Sequence, residues 1–358
     1  MKKLLINISL ILFFVLLLNI IVRSVFDLPF SWGFDRLDSK TQFYLENEDN
    51  YNCLMIGSSR LYRQVDVSEF DRQNKAKGVN TNTFNFGVHT MSAADTYRVL
   101  DELSNSLEPG DLDYLIIELM NTNQVSIRNL GTTRSTFWYT PESFVFSVRS
   151  ILNSNRSLTN KVYGAFSHTL SYGLKYANAG YISEYMDYQN IDPHSEKYSY
   201  YLGPNKDGYF PLMDEMTNPL TQDSDRKELK SRNDFFVNDT ASVTEYLNIS
   251  LESYSKQNSD NLNEYHLNYL NEIIQKVESK NIKVFILFPP RQTYENYGEL
   301  LPILNRLPDN QVISISDANV YPQFYIAKYS FDFGHLNNEG SELFTKEISD
   351  KFINELNK

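Results

Sequence analysis

The chain has 358 residues, enough for one large domain with insertions or for two domains, and a formal net charge of -12. No Lys/Arg cluster interrupts that acidic balance, so the footprint that holds a phosphate backbone is missing and nucleic acid is not expected as a partner. A single cysteine, Cys53, rules out an intramolecular disulfide and argues against a cysteine-based zinc site.

The N-terminus carries the most specific compositional signal. Lys2 and Lys3 precede an apolar run from Leu4 to Val22 that only Asn7, Ser9 and Asn19 interrupt. At about 1.5 Å per residue, such a run just crosses a hydrocarbon core of about 30 Å. The following "RSVFDLPFSWGF" offers no small-x-small cleavage site, so residues 1–23 read as an uncleaved transmembrane anchor rather than a secretory signal. The short basic N-terminus places Lys2 on the cytoplasmic side and the body of the chain outside. Residues 24–50 are a mixed, partly acidic segment ending in "ENEDNYN" and read as a juxtamembrane spacer.

From residue 51 strands and helices alternate, the pattern of a parallel sheet with helices on its faces. "CLMIG" (53–57) is the first strand and "TFNFG" (83–87) the second, with a short polar-faced helix in "VSEFDRQNKAKG" between them. A helix stripe follows, with Tyr97, Leu100, Leu103 and Leu107 at three- and four-residue spacing, and then a buried strand, "LDYLIIEL" (112–119). From about 125 to 258 the alternation breaks. This stretch is rich in Tyr, Phe, Ser and Asn and reads as a large, mostly helical insertion over one rim of the sheet. It either supplies a substrate surface or only packs on itself and a partner. Order returns with a helix face at Leu267, Leu270, Ile273, Ile274 and Val277, a strand from Lys283 to Phe288, a last strand at 311–317, and a final helix from Gly340 to Leu356.

Two segments hold candidate chemistry. "IGSSR" ends the first strand in two hydroxyl residues, Ser58 and Ser59, which by themselves suit a strand-to-helix turn. Far along the chain, "DFGHLNNEG" puts Asp332 three residues before His335 in a loop ahead of a helix. That spacing lets a carboxylate fix the tautomer of an imidazole acting as general base. In a doubly wound parallel sheet the strand C-termini share one edge, where ligands bind. Ser59, Gly87, the Asn121/Asn123 pair of "MNTN", and Asp332 with His335 all map to that edge. A serine nucleophile needs a base, an orienting group and oxyanion donors about 2.7–3.1 Å away, which the Ser59 and Gly87 amides and an Asn side chain would supply.

With those blocks in place the chain resembles the SGNH hydrolase superfamily. "IGSSR" is similar to its first block with Ser59 as nucleophile, "FNFGVHTMSA" to its second with Gly87 as an oxyanion donor, and "DFGHLNNEG" to its last with Asp332 as orienter and His335 as base. The resemblance spans 50–123 and 265–358 and leaves the insertion uncovered. It departs in the third block, where the family has Gly-x-Asn-Asp and this chain has "ELMNTNQ"; Asn121 or Asn123 would take the oxyanion role, with Asn121 preferred by position. The resemblance implies a three-layer α/β/α, flavodoxin-like SGNH fold over 51–358. With the anchor it narrows to membrane-tethered SGNH-like proteins of bacterial envelopes, similar in layout to those of teichoic acid D-alanylation and alginate acetylation. It implies an O-acyltransferase or esterase acting on a cell-surface polysaccharide or teichoic-acid-like polymer, beside a membrane-bound O-acyltransferase, with no metal or organic cofactor. Two rival readings stand: a non-catalytic scaffold or glycan-binding partner with an incomplete site, and a surface esterase for small lipidic esters with an apolar acyl tunnel.

The remaining polar candidates have plainer explanations. Arg60 would contact an anionic substrate or form a structural ion pair, and His89 would line the pocket or be a loop residue. His266 reads as a core-edge histidine, and His168 and His194 show no ligand spacing. The Asn-x-Ser/Thr triplets at Asn155, Asn238 and Asn248 matter only in a eukaryotic secretory route.

Overall fold

Alternation of side chains along five short strands builds one sheet with two buried faces. The structure, a computed structural model, describes residues 2–26, 28–122, 125, 130, 132–134, 139–177, 180–192, 194–238, 240–255 and 262–358. Its strands are β1 (Cys53–Gly57), β2 (Thr83–Gly87), β3 (Tyr114–Glu118), β4 (Lys283–Phe288) and β5 (Val312–Ser314). All neighbours pair in parallel in the order β2-β1-β3-β4-β5. Cys53 and Met55 of β1 face one apolar layer, with Phe70, Phe285, Phe344 and Phe352, while Leu54 and Ile56 face the other, with Phe84, Phe86, Ile117 and Phe288. This is the three-layer α/β/α arrangement, and the order reverses direction at β1, flanked by β2 and β3.

Most core elements fall where periodicity puts them. β1, β2 and β4 have the expected limits, and the helices Val67–Ala76, Ala93–Ser106 and Glu264–Glu278 lie where their stripes predict. The last strand is shorter than the expected 311–317. It ends at Ser314, and beyond it Asp317 turns the chain by accepting the Asn319 amide on its side chain (2.9 Å) and the Tyr321 amide on its carbonyl (2.8 Å).

The region between β3 and the Glu264–Glu278 helix is helical, as expected. It holds Pro141–Asn153, Leu158–Ala177, Tyr181–Gln189, Leu212–Thr217, Asp223–Asn238 and Thr240–Ser255, among others. One of its loops protects the sheet edge: the Asn85 amide of β2 donates to the Asp207 carbonyl at 2.9 Å.

Residues 35–47, expected as spacer, are instead a helix (Asp35–Asn47) laid on β2. Leu37 and Tyr44 join the core, Tyr44 stacking edge-on to Phe86 with centroids 5.3 Å apart. Lys40 of this helix is fully buried, and its ammonium donates to the carbonyls of Asn85 (2.8 Å), Gly87 (2.6 Å) and Gly208 (2.6 Å). Burial drives its pKa well below the ordinary lysine value. One side chain thereby ties the pre-sheet helix and the insertion to the end of β2.

Ahead of it, Lys2–Val25 is one helix with a mostly exposed apolar surface, long and apolar enough to cross a membrane.

Candidate active site

Gly57, the last residue of β1, has no room for a side chain: a Cβ there would lie 2.5 Å from Glu118 Oε2 and 2.6 Å from Leu61 Cδ1. Glu118, at the end of β3, is buried and accepts the Ser58 amide at 2.6 Å and the Ser58 hydroxyl at 2.9 Å. The Ser58 oxygen in turn caps the next helix, Ser59–Gln64, by accepting the Arg60 amide at 3.2 Å. Ser58 is therefore fully occupied in holding the turn. Burial raises the Glu118 carboxyl, against the opposing pull of Arg60 and the Ser58 hydrogen bonds.

Ser59, one residue on, faces a different partner. Its Oγ lies 2.9 Å from His335 Nε2, although 276 residues separate the two. His335 Nδ1 lies 2.9 Å from Asp332 Oδ1 and 3.1 Å from Oδ2. An ionised carboxylate only accepts, so Nδ1 carries the imidazole proton and the bare Nε2 accepts from the Ser59 hydroxyl. The relay Ser59–His335–Asp332 has the connectivity that general-base activation of a serine requires.

The Asp332 loop is braced from several elements. Asp332 Oδ1 accepts the amides of Gly334 and His335, each at 2.8 Å, and Oδ2 is paired with Arg232 from the Asp223–Asn238 helix of the insertion. Buried Arg291 donates to the Asp332 carbonyl at 3.1 Å and the Ser330 hydroxyl at 3.0 Å, and Gln64 of the serine's own helix reaches the Gly334 carbonyl at 3.2 Å. Burial alone would raise the Asp332 carboxyl, but His335, Arg232 and the Gly334 amide outweigh it and hold the group below the usual carboxylate range. Burial lowers the His335 imidazole despite the opposing pull of Asp332, leaving a base that stays neutral below the ordinary histidine pKa.

The expected oxyanion donors are not gathered in the same way. Among the described residues none accepts from the Ser59 amide, which sits at the first helical position. The Gly87 amide instead donates to Asn85 Oδ1 at 2.8 Å. A Cβ on Gly87 would stand 2.4 Å from the Tyr62 nitrogen, so this glycine is needed for the close approach of β2 to the Ser59 helix. Asn121 is buried and spends one of its two amide hydrogens on Asn296 Oδ1 at 2.9 Å. Asn123 lies outside the described residues.

Ser59 and His335 open into a cleft of about 440 Å³. Arg36, Arg63 and His89 line it together with Glu215, Glu228 and Arg232 of the insertion. Its apolar lining is confined to Leu212 and Leu229. Arg63 is buried, bridges to Glu215 at 2.5 Å and donates to the Phe210 carbonyl at 2.8 Å, which clamps the insertion to the Ser59 helix. His89 accepts on Nε2 from Arg36 at 3.4 Å, so its remaining proton is on Nδ1; burial and the surrounding cations Arg36, Arg63, Arg134 and Lys40 hold its pKa down to about 2. Arg60 points toward Glu118, at 3.9 Å, the ion-pair alternative of the sequence reading.

The other histidines lie elsewhere. His266 is buried against the Tyr97 hydroxyl at 2.7 Å, His168 pairs with Tyr139, and His194 is exposed near Glu46. Among the described residues, no group of three or more His, Cys, Asp or Glu side chains is arranged to hold a metal ion.

Sequence reasoning missed Glu118, Arg232 and Arg291. Glu118 left a signal, as a carboxylate inside the apolar run "YLIIEL"; Arg291 left a weaker one, following "FPP" at the end of β4. Arg232 left none, because its helix gives no sign of which loop it will meet. No known family model matches this chain, and no curated protein matches its sequence.

Proposed function

We propose that this chain is a membrane-anchored serine acyl-ester enzyme of the SGNH type, an O-acyltransferase or esterase acting outside the cytoplasm on a cell-surface glycopolymer. The observation that carries the reading is the Ser59–His335–Asp332 relay, with both links at 2.9 Å. His335 Nε2 takes the Ser59 proton as Oγ attacks the ester carbonyl, and Asp332 stabilises the imidazolium that forms. The tetrahedral intermediate collapses as His335 returns that proton to the leaving oxygen, leaving the acyl group on Ser59. A sugar hydroxyl or water, deprotonated by His335, then takes the acyl group. The Ser59 amide is the first donor to the oxyanion, and the second hydrogen of the Asn121 amide is the next candidate.

The chemistry of the cleft walls supports a hydrophilic acceptor. Arginines, carboxylates and two histidines line the cleft beside Ser59, and these groups can hydrogen-bond polyol or sugar hydroxyls. The membrane-bound O-acyltransferase implied by the resemblance remains part of this proposal as the source of the acyl group.

A second reading, a scaffold that binds glycan without chemistry, draws on one observation: the Gly87 amide is committed within the protein, as is one hydrogen of the Asn121 amide. Turnover of p-nitrophenyl acetate by the full chain in detergent separates the two. The enzyme reading expects a stoichiometric burst of p-nitrophenol that drops by at least about 10³-fold in Ser59→Ala and in His335→Ala. Equal rates in wild type and both variants would leave the scaffold.

A further inference from the structure

A second cavity, of about 370 Å³, opens where the apolar N-terminal helix meets the folded body. That volume is in the range of about 300–1,000 Å³ usual for small-molecule sites. Three chain segments far apart in sequence build it. Ile20 and Arg23 come from the end of the apolar helix, Arg98 from the helix after β2, and Lys175 and Tyr181 from the insertion, with Trp32 from the turn ahead of the Asp35–Asn47 helix.

The lining has an unusual charge for so acidic a protein. The chain carries -12 overall, yet this cavity has three cations in its wall and no carboxylate among its lining residues. Two of its cations donate to neutral groups: Arg23 to Asn19 Oδ1 at 2.8 Å and to the Lys175 carbonyl, with its guanidinium 4.3 Å over the Tyr181 ring, and Lys175 to the Tyr139 carbonyl. Three positive groups so gathered repel one another. Burial, with Arg98 and Arg23 adding to it, lowers Lys175 to about 8, and burial lowers Arg98 to about 10. The carboxylates that act on Lys175 and Arg98, namely Asp95, Glu102 and Glu142, do not line the cavity. An anion in the cavity would relieve that repulsion and accept hydrogen bonds from all three cations.

Position names the kind of anion. Arg23 follows directly on the apolar run Leu4–Val22, so it sits at the level where hydrocarbon gives way to headgroups. Trp32 and Tyr181 are the side chains that concentrate at that level, with apolar bodies and polar tips. One wall of the cavity, at Ile20, belongs to the apolar helix itself, whose Leu17, Leu18 and Ile21 are exposed. A free anion makes no use of that wall, whereas acyl chains attached to a phosphate would run along it.

We propose that this cavity binds the phosphate headgroup of a membrane lipid, with Arg23, Arg98 and Lys175 around the phosphate and the acyl chains along the exposed face of the N-terminal helix. The site is separate from the Ser59 cleft and does not depend on that cleft being catalytic. Its role is to fix the tilt and depth of the body at the membrane surface.

Trp32 reports on the site directly, because the chain has only one other tryptophan, Trp138. The full chain with Trp138→Phe, in maltoside micelles, is titrated with dioleoyl phosphatidic acid, dioleoylglycerol and inorganic phosphate while Trp32 emission is followed. Saturable change is expected with phosphatidic acid, none with the diacylglycerol, and binding of inorganic phosphate at least about tenfold weaker for want of acyl contacts. Lys175→Met should weaken phosphatidic acid about tenfold, and Lys175→Arg, which keeps the charge, should restore it. Circular dichroism checks the fold of each variant, and Arg98→Met gives a second, independent loss. Equal responses to phosphatidic acid and diacylglycerol would overturn the proposal, as would wild-type affinity in both Met variants. Inorganic phosphate as tight as the lipid would replace it with a free-anion site.

Discussion

On the His335 side of the cleft each side chain of the proposed relay is held by several partners, whereas on the Gly87 side the amides expected to face substrate are turned into the protein. Asp332 is held by two backbone amides and Arg232, and His335 by Asp332. Gly87 and Asn121 are held by Asn85 and Asn296. The difference teaches that an activated nucleophile and a stabilised oxyanion are separate constructions on one sheet edge. In the proposed mechanism the hydrogen bonds of the first are already in place, and the second would rest on the Ser59 amide alone until substrate binds. A neutral Asn–Asn pair is weaker than a hydrogen bond to a developing oxyanion, so substrate itself can complete the second half.

Beyond loss of Ser59 or His335 themselves, the largest expected effect probes the unfinished side. Asn121→Ala should lower kcat for ester cleavage by about 10² to 10³-fold, with little change in KM, because its donor acts only when the oxyanion forms. Unchanged kcat would show that Asn121 serves only Asn296, and the comparison would sharpen to a site with one backbone donor.

A smaller effect probes the finished side. Arg232 pairs with Asp332 but is more than a third exposed, so solvent screens it, and Arg232→Ala should lower kcat/KM by only about fivefold. Its pH signature is more specific. His335 must be neutral to act, and burial with nearby cations puts its pKa below the ordinary histidine value, so the wild-type rate should hold as pH falls through 6.5 and decline only below that. Removing the Arg232 cation raises the His335 pKa, so the acid limb of the kcat/KM profile should move to higher pH. A limb that stays in place would mean that Arg232 braces the loop without acting on the base.

How far the sequence reveals this site depends on the range of the interactions. β1 and β2 are legible because alternating side chains meet two apolar layers, and Ser59, Asp332 and His335 are legible because the chain leaves the sheet edge at known points. The Asp35–Asn47 helix hides itself, since the face it buries includes Asp38, Ser39, Lys40 and Thr41. Hydropathy marks such a segment as solvated. The three carbonyls that meet Lys40, from Asn85, Gly87 and Gly208, help make its burial tolerable, and none is local in sequence. Gly87 shows the converse: a glycine at the right place for an oxyanion donor is there, in this fold, to admit the backbone of Tyr62.

The most direct test of the central claim is mass-spectrometric mapping of a fluorophosphonate adduct on the full chain in detergent, in wild type, Ser59→Ala and His335→Ala. The account predicts an adduct confined to Ser59 and lost in both variants. A folded wild-type protein that takes no adduct, or one that Ser59→Ala still carries, would contradict it.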